Sequence, residues 1–267
     1  MTAAALSAPA PQVATVDLLG VRFHALTEAQ AVEHVLDALD AGRGGTVVTP
    51  NLDHLRRCVH HAEYREIVGR ADLVVADGMP LIWASRIAGT PLPERVAGSN
   101  LVPHLSGAAA GRGRSVFLLG GVEGSADGAA RILRERHPSL RVAGTWYPPF
   151  GFEDQPVEMA KLEAAVIGSS PDIVFVGLGS PKQERLIERL RPKLPRAWWM
   201  GVGISFSFVT GDVPRAPMWM RRTGLEWVHR LASEPRRLAR RYLVEGIPFG
   251  IRLIAWAVAR RIRPTPR

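Results

Sequence analysis

The sequence predicts an α/β fold: a Rossmann-like parallel sheet with helices on both faces, followed by a helical, arginine-rich C-terminal appendage. Three observations predict it. Short apolar runs alternate with stretches of helical period across residues 13–212. Each run closes on glycine or small polar residues that open the next helical stretch. The basic excess of the chain, net +9, is confined to residues 214–267, which hold 13 arginines, no lysine and three acids, Glu226, Glu234 and Glu245. Strand followed by helix, repeated, is the pattern of a parallel sheet, because parallel neighbours need a crossover that a helix supplies.

Taken in order, residues 46–49, 72–76, 115–119, 172–177 and 197–201 read as buried strands, since they are apolar or β-branched without polar alternation. Residues 52–68, 80–88, 125–136, 157–167 and 182–190 carry the helical period between them. Residues 1–12, rich in alanine and proline, have neither a basic nor a sustained apolar segment and read as a disordered leader, with nothing that directs the chain out of the cytoplasm. Residues 13–212 are then the catalytic core and 213–267 the basic appendage. With 46% apolar residues in 267, a packed core is assured. The single cysteine, Cys58, cannot form an internal disulfide and fits a reducing compartment as a buried thiol. The longest apolar run, residues 247–259, contains Pro248, Gly250 and Arg252. Its reach of about 20 Å falls short of a hydrocarbon core of about 30 Å, so it is expected to lie in a membrane interface without spanning it.

In open parallel sheets ligands bind beyond the carboxyl ends of the strands. Those ends carry Thr49-Pro-Asn51 with Asp53 and His54, then Asp77-Gly-Met-Pro80, then Gly120-Gly121 with Gly124, then Gly177-Leu-Gly179-Ser-Pro-Lys182-Gln183-Glu184. Gly120 and Gly121 before a helix start suit a phosphate, whose oxygens meet backbone N–H groups at the helix N-terminus; a plain tight turn would look the same. Gln183 suits a base edge or sugar hydroxyls, whereas Lys182 and Glu184 also fit an ordinary exposed first turn. Asp77 can act as a general base at a cleft or can merely cap the next helix. His54 is a rival base but falls inside a helix.

No DxD pair, HExxH, P-loop or cluster of His and Cys at ligand spacing is present, so neither a protein-held metal nor another cofactor is expected. Any phosphate-bearing leaving group must then be neutralised by arginines and backbone dipoles. The appendage, where Trp219, Trp227, Tyr242, Phe249 and Trp256 interleave with arginines, must meet something anionic: ligand phosphates, nucleic acid or a membrane surface.

Together these residues resemble the WecG/TagA/CpsF glycosyltransferases. The resemblance runs in order through Thr49-Pro-Asn51, Ala76-Asp-Gly78, Arg95-Val-Ala-Gly98, Phe117-Leu-Leu-Gly-Gly121, the segment from Gly177 to Glu184, Gly201-Val-Gly203, Arg215-Ala-Pro217 and Leu225-Glu-Trp227. It continues through Arg230-Leu231, Glu234-Pro-Arg236 and Arg241-Tyr242. It implies inverting, metal-independent transfer from a UDP-sugar donor to a sugar on a polyprenyl (undecaprenyl) diphosphate carrier. The enzyme would be peripheral on the inner face of the plasma membrane and would serve cell-wall or surface polysaccharide synthesis. It also implies Asp77 as base and Thr49, Asn51 and Gln183 as pocket lining, with Arg230, Arg237 and Arg240 closing over the site. Arg95, Gly120, Gly121, Gly177, Gly179, Lys182, Glu184 and Arg215 complete the expected substrate-binding set. Asn100 and Ser207 depart from the family pattern, in which Asp is usual at the first position and common at the second, so the donor sugar is left open among N-acetylmannosamine, a hexose and a uronic acid. A nucleotide-dependent oxidoreductase would use the same sheet, but the chain lacks a GxGxxG fingerprint. A nucleic-acid-binding module would use the same tail, but no reading motif is present, so no nucleic acid partner is expected.

Overall fold

The computed structural model describes residues 13–263; the leader at residues 1–12 lies outside them. The chain enters through a hairpin absent from the expected elements, β1 (Thr15–Leu18) and β2 (Val21–His24), paired antiparallel. Its turn residues Leu19 and Gly20 have φ of 54° and 82°, the left-handed pair of the tight turn that matches strand twist. Helix α1 (Glu28–Asp40) follows, started by a capping box in which Thr27 and Gln30 satisfy each other's backbone N–H.

The central sheet has six parallel strands, one more than the apolar runs predict: β3 (Gly45–Val48), β4 (Leu73–Val74), β5 (Ser115–Gly120), β6 (Arg141–Trp146), β7 (Ile173–Gly177) and β8 (Trp198–Gly201). Their order is β4-β3-β8-β7-β5-β6. The unforeseen strand is β6, an edge strand that is half-exposed throughout and so carries no buried apolar run. Between the strands lie α2 (Leu52–His60), α3 (Ala62–Gly69), α4 (Met79–Ile87), α5 (Gly98–Gly111), α6 (Ser125–Arg136), α7 (Pro156–Ser169), α8 (Lys182–Leu190) and α9 (Ser205–Thr210). The single helix expected over residues 52–68 is broken at His61, which is extended (φ −128°, ψ 107°). The break is supported by Arg65, whose guanidinium donates to the carbonyls of Cys58 and Val59 that α2 leaves unpaired.

Alternate residues of the strands feed opposite faces. Val116, Leu118 and Phe175 join α1, α5, α6 and α9 in one cluster, whereas Phe117, Leu119, Val174, Val176 and Trp199 pack under α7 and α8. A third cluster joins the hairpin to α2, α3 and α4 through Leu18, Phe23, Leu55, Leu81 and Ile82.

Beyond α9 come α10 (Met218–Arg222), α11 (Glu226–Ser233), α12 (Pro235–Ala239), a π-helical turn (Arg240–Gly246) and α13 (Ile247–Ile262). The last three run as one helix, Pro235–Ile262, of 28 residues, long and apolar enough by length and composition to cross a membrane. The short interfacial segment expected from the sequence is therefore part of a longer rod. Its π-helical turn sits just before Pro248, where a missing N–H interrupts the α-helical ladder. Phe249, expected in the membrane face, is only 4% exposed and, with Leu253 and Ala257, completes the third cluster against α4 and α2.

Candidate active site

The chain leaves β3 for α2 and β8 for α9, and these helices belong to different packing clusters. A crevice between such diverging connections is where a parallel sheet accepts ligands. Its floor is built from small residues. Gly98, at the start of α5, comes so close to Thr49 that a Cβ there would lie 3.0 Å from the Thr49 hydroxyl oxygen. Gly201 leaves room for Gln183, whose Nε2 would be 2.5 Å from a Cβ at that position.

Gln183 is buried, and both ends of its amide are committed. Nε2 donates to Glu184 Oε1 at 2.9 Å, and Oε1 accepts from the Gly203 N–H at 3.0 Å. It therefore braces the loop after β8, and Glu184, expected to bind substrate or else to sit in an exposed first turn, is buried behind it with Oε2 unpaired among the described residues. Asn51 gives its side-chain oxygen to the first turn of α2, accepting from Asp53 and His54 N–H at 3.0 and 3.2 Å. His54 is the third residue of α2, beside Tyr64; its Nδ1 accepts from the Asn51 N–H at 3.4 Å, closing a capping box at this helix start, and burial lowers its pKa.

The glycine pair is also absorbed by packing. Gly120 and Gly121 have φ of 93° and 85°, and the Gly121 N–H donates to Gly177 O at 2.7 Å. A Cβ on Gly120 would lie 2.8 Å from Leu178, and one on Gly177 would lie 3.0 Å from Gly203 O. Gly179 turns the following loop with φ 74°. Lys182 pairs with Glu153 and stands 5.6 Å over the ring of exposed Phe150.

The charged side of the crevice lies at Asp77. The residue follows β4, its N–H donates to Pro50 O at 3.0 Å, and α4 has no side-chain cap, so the carboxylate is not a helix cap. Arg95 Nη1 lies 3.6 Å from Asp77 Oδ1 and 2.8 Å from Glu226 Oε2 on α11. Burial raises the Asp77 pKa to about 6, opposed by Arg95, reinforced by Glu226 and opposed again by the Gly98 N–H and Arg215. Arg215 donates to Ser99 Oγ and Asn100 Oδ1, both at 2.9 Å, and covers the Phe208 ring at 5.4 Å. Asn100 in turn donates to Glu28 at 3.0 Å, which a carboxylate in its place could not do. Ser207 is buried within α9. Among the described residues no three His, Cys, Asp or Glu side chains converge as a metal-holding group.

Thus Asp77, Arg95 and Arg215 are brought together, as are Thr49, Gly98, Gly201 and Gln183. Arg237 and Arg240 pair instead with the appendage's own acids, Glu234 at 2.5 Å and Glu245 at 3.5 Å, and Arg240 is 85% exposed. Arg230, on α11, makes no ion pair among the described residues. Two ion pairs tie the appendage to α2: Arg241 to Asp53 at 3.1 Å and Arg56 to Glu245 at 2.5 Å. Burial works against the Asp53 charge, yet Arg241 and Arg57 hold its pKa below the usual carboxylate value. The sequence reading missed Glu226 as a site residue; its signal was its rarity, one of three acids among 13 arginines.

A parallel α/β sheet with a recessed carboxylate and two arginines beyond its strand ends is the equipment of a group-transfer enzyme. The chain belongs to the glycosyl transferase WecG/TagA/CpsF family, whose model matches residues 16–263, and it is accordingly a glycosyltransferase. Its relatives include N-acetylglucosaminyldiphosphoundecaprenol N-acetyl-beta-D-mannosaminyltransferases. That of Bacillus subtilis (strain 168) is 30% identical, covering 76% of this chain and 77% of the relative. That of Staphylococcus aureus (strain MRSA252) is 31% identical, covering 91% and 93% respectively.

Proposed function

We propose that the enzyme moves an N-acetylmannosamine residue from its UDP derivative to the sugar hydroxyl of N-acetylglucosaminyl-diphosphoundecaprenol, with inversion and without a divalent metal. The observation that carries the mechanism is Asp77: a recessed carboxylate with a pKa of about 6 beside Arg95 and Arg215. The transferred sugar and the acceptor rest on the relatives' names, in which the product linkage is β; the UDP carrier rests on the resemblance to the family, and an α-linked UDP donor makes the transfer an inversion.

In this reading the acceptor oxygen attacks the anomeric carbon while Asp77 takes its proton. The bond from that carbon to the diphosphate oxygen breaks, and UDP departs with the electron pair. Arg95 and Arg215 offset charge that grows on the diphosphate, a role preorganised cations fill best where water is scarce. Thr49 stands at the crevice floor, within reach of a sugar bound over Gly98 and Gly201. Arg230, on the same helix as Glu226, closes from the appendage side, and Arg237 and Arg240 join it only after releasing Glu234 and Glu245.

The lipid-linked acceptor requires the enzyme at a membrane, and the outward side of the C-terminal rod supports docking there. Val244, Ile247, Ile251, Val258 and Ile262 are exposed along one side of the helix, opposite buried Phe249, Leu253 and Ala257. Arg252 and Arg263 are exposed with them, whereas Arg260 is turned back to Asp17 at 3.7 Å; each basic residue near an anionic leaflet contributes about 1 kcal/mol.

The test is turnover of a panel of UDP-sugars with a soluble N-acetylglucosaminyl diphosphate analogue, with the product anomer read by NMR. A β-linked N-acetylmannosaminyl product formed in excess EDTA is expected. An α-linked product, or activity that needs Mg²⁺ or Mn²⁺, overturns the mechanism; transfer of another sugar overturns the donor only.

A further inference from the structure

Arg95 is shared by two carboxylates that come from opposite ends of the sequence. Asp77 belongs to the core, whereas Glu226 opens α11 in the appendage, 131 residues beyond Arg95. Of the two, Glu226 has the better contact, 2.8 Å against 3.6 Å. Both carboxylates are recessed, with side-chain exposures of 25% for Asp77 and 20% for Glu226, and Arg95 is at 16%. One guanidinium between two recessed carboxylates leaves one negative charge in excess, and Arg215 is the next cation facing Asp77. Arg215 is itself held by neutral acceptors, Ser99 and Asn100. How strongly Asp77 is neutralised therefore depends on whether Glu226 is present.

We infer that Glu226 is a positioning residue for the transfer: by drawing Arg95 toward α11 it keeps Asp77 from being fully ion-paired, so the base is complete only while the C-terminal segment is docked. The inference rests on Asp77 being the base. A carboxylate clamped by its own arginine is a poor proton acceptor, and one with no cation nearby would not stay recessed in its charged form. Glu226 holds the pair between those limits. The appendage then contributes a negative charge to the reaction as well as its arginines. Its docking becomes a condition of chemistry and not only of substrate closure.

The sign of the effect is fixed by the neighbours. Glu226 raises the Asp77 pKa and Arg95 lowers it. The limb of the kcat/KM profile that rises with pH as Asp77 loses its proton should therefore move to lower pH in Glu226→Gln, by about 0.5–1 unit, and to higher pH in Arg95→Gln. Glu226→Asp, which keeps the charge, should leave the limb nearest its original place. Release of the appendage is scored in parallel by tryptic cleavage at Arg221 and Arg222 on the full-length proteins. A limb that stays put in Glu226→Gln, or that moves only in variants cleaved faster than the parent, overturns the inference. Asp77→Asn separates the two readings. If it retains both turnover and the limb, the base assignment is wrong; if it loses turnover while Glu226→Gln leaves the limb unmoved, only the role of Glu226 is wrong.

Discussion

The two sides of the crevice are built on opposite terms. On the Gln183 side the amides and backbone groups are answered from within the core: Gln183 by Glu184 and Gly203, Asn51 by the first turn of α2, Gly121 by Gly177, with Glu184 Oε2 the one atom left over among these residues. On the Asp77 side the charges outnumber their pairings, since Arg95 serves two acids and the buried Nε of Arg215 lacks a partner among the described residues. A saturated network is rigid, because each deletion leaves a buried group unpaired. An unsaturated one can be retuned by whatever charge arrives. One side is a platform and the other an instrument, and they should fail differently when altered.

The largest difference should come from Asp77→Asn. It removes the proton acceptor while keeping shape, so turnover should fall by about 10²–10⁴-fold. Because burial disfavours the charged form of Asp77, the variant should melt no lower than the parent at neutral pH in differential scanning calorimetry. The sign agrees: a carboxyl whose pKa is raised on folding contributes stability below its unfolded pKa and loses that contribution as pH rises through about 6. A marked drop in melting temperature would mean that Asp77 is structural.

The platform should show the reverse. Gln183→Ala strands the Gly203 N–H and a buried carboxylate, at a cost of about 1–3 kcal/mol for the unpaired groups. Denaturant unfolding should detect it, with the loss of turnover following from a displaced loop. Unchanged stability would show that the brace is incidental.

The C-terminal helix repeats the contrast on its two sides. Leu253→Ala, on the inner side, should cost about 2–5 kcal/mol. Ending the chain before Ile247 should expose the same apolar surface and lower stability, so membrane release is better tested by Ile247→Asp with Ile251→Asp. That pair should abolish sedimentation with anionic liposomes at little change in melting temperature. Persistent liposome binding would move the docking surface elsewhere. The smallest effect should be that of EDTA on turnover, which is expected to be nil.

The sheet was legible because buried parallel strands write themselves as apolar runs, and the helices between them followed from the remaining period. Where burial is partial the signal fades: β6 is half-exposed, and the hairpin strands have four residues each around a Leu-Gly turn. Helix α1 could have been read from Thr27 and Gln30, which spell its capping box, and from Val32, Val35, Leu36 and Leu39. Asp77 and Arg95 were legible through the strand-end rule and the family resemblance. The internal use of Gln183 and Glu184 was not, because a buried amide and an exposed one have the same letter. Glu226 reaches Arg95 only through tertiary folding, and no local pattern announces a contact 131 residues away.

Helix α13 also fixes a direction. Its inner side is fastened to α4 and α2, with Phe249, Leu253 and Ala257 in their shared cluster, so the outer stripe cannot swivel on a tether as a lipid-modified tail would. Whatever surface that stripe rests on, the crevice at Asp77 looks out at one set angle to it. The helix therefore acts as a keel. Docked on a membrane as proposed, it would confine the enzyme's search for a lipid-borne acceptor to two dimensions and present the same rim of the crevice at every encounter.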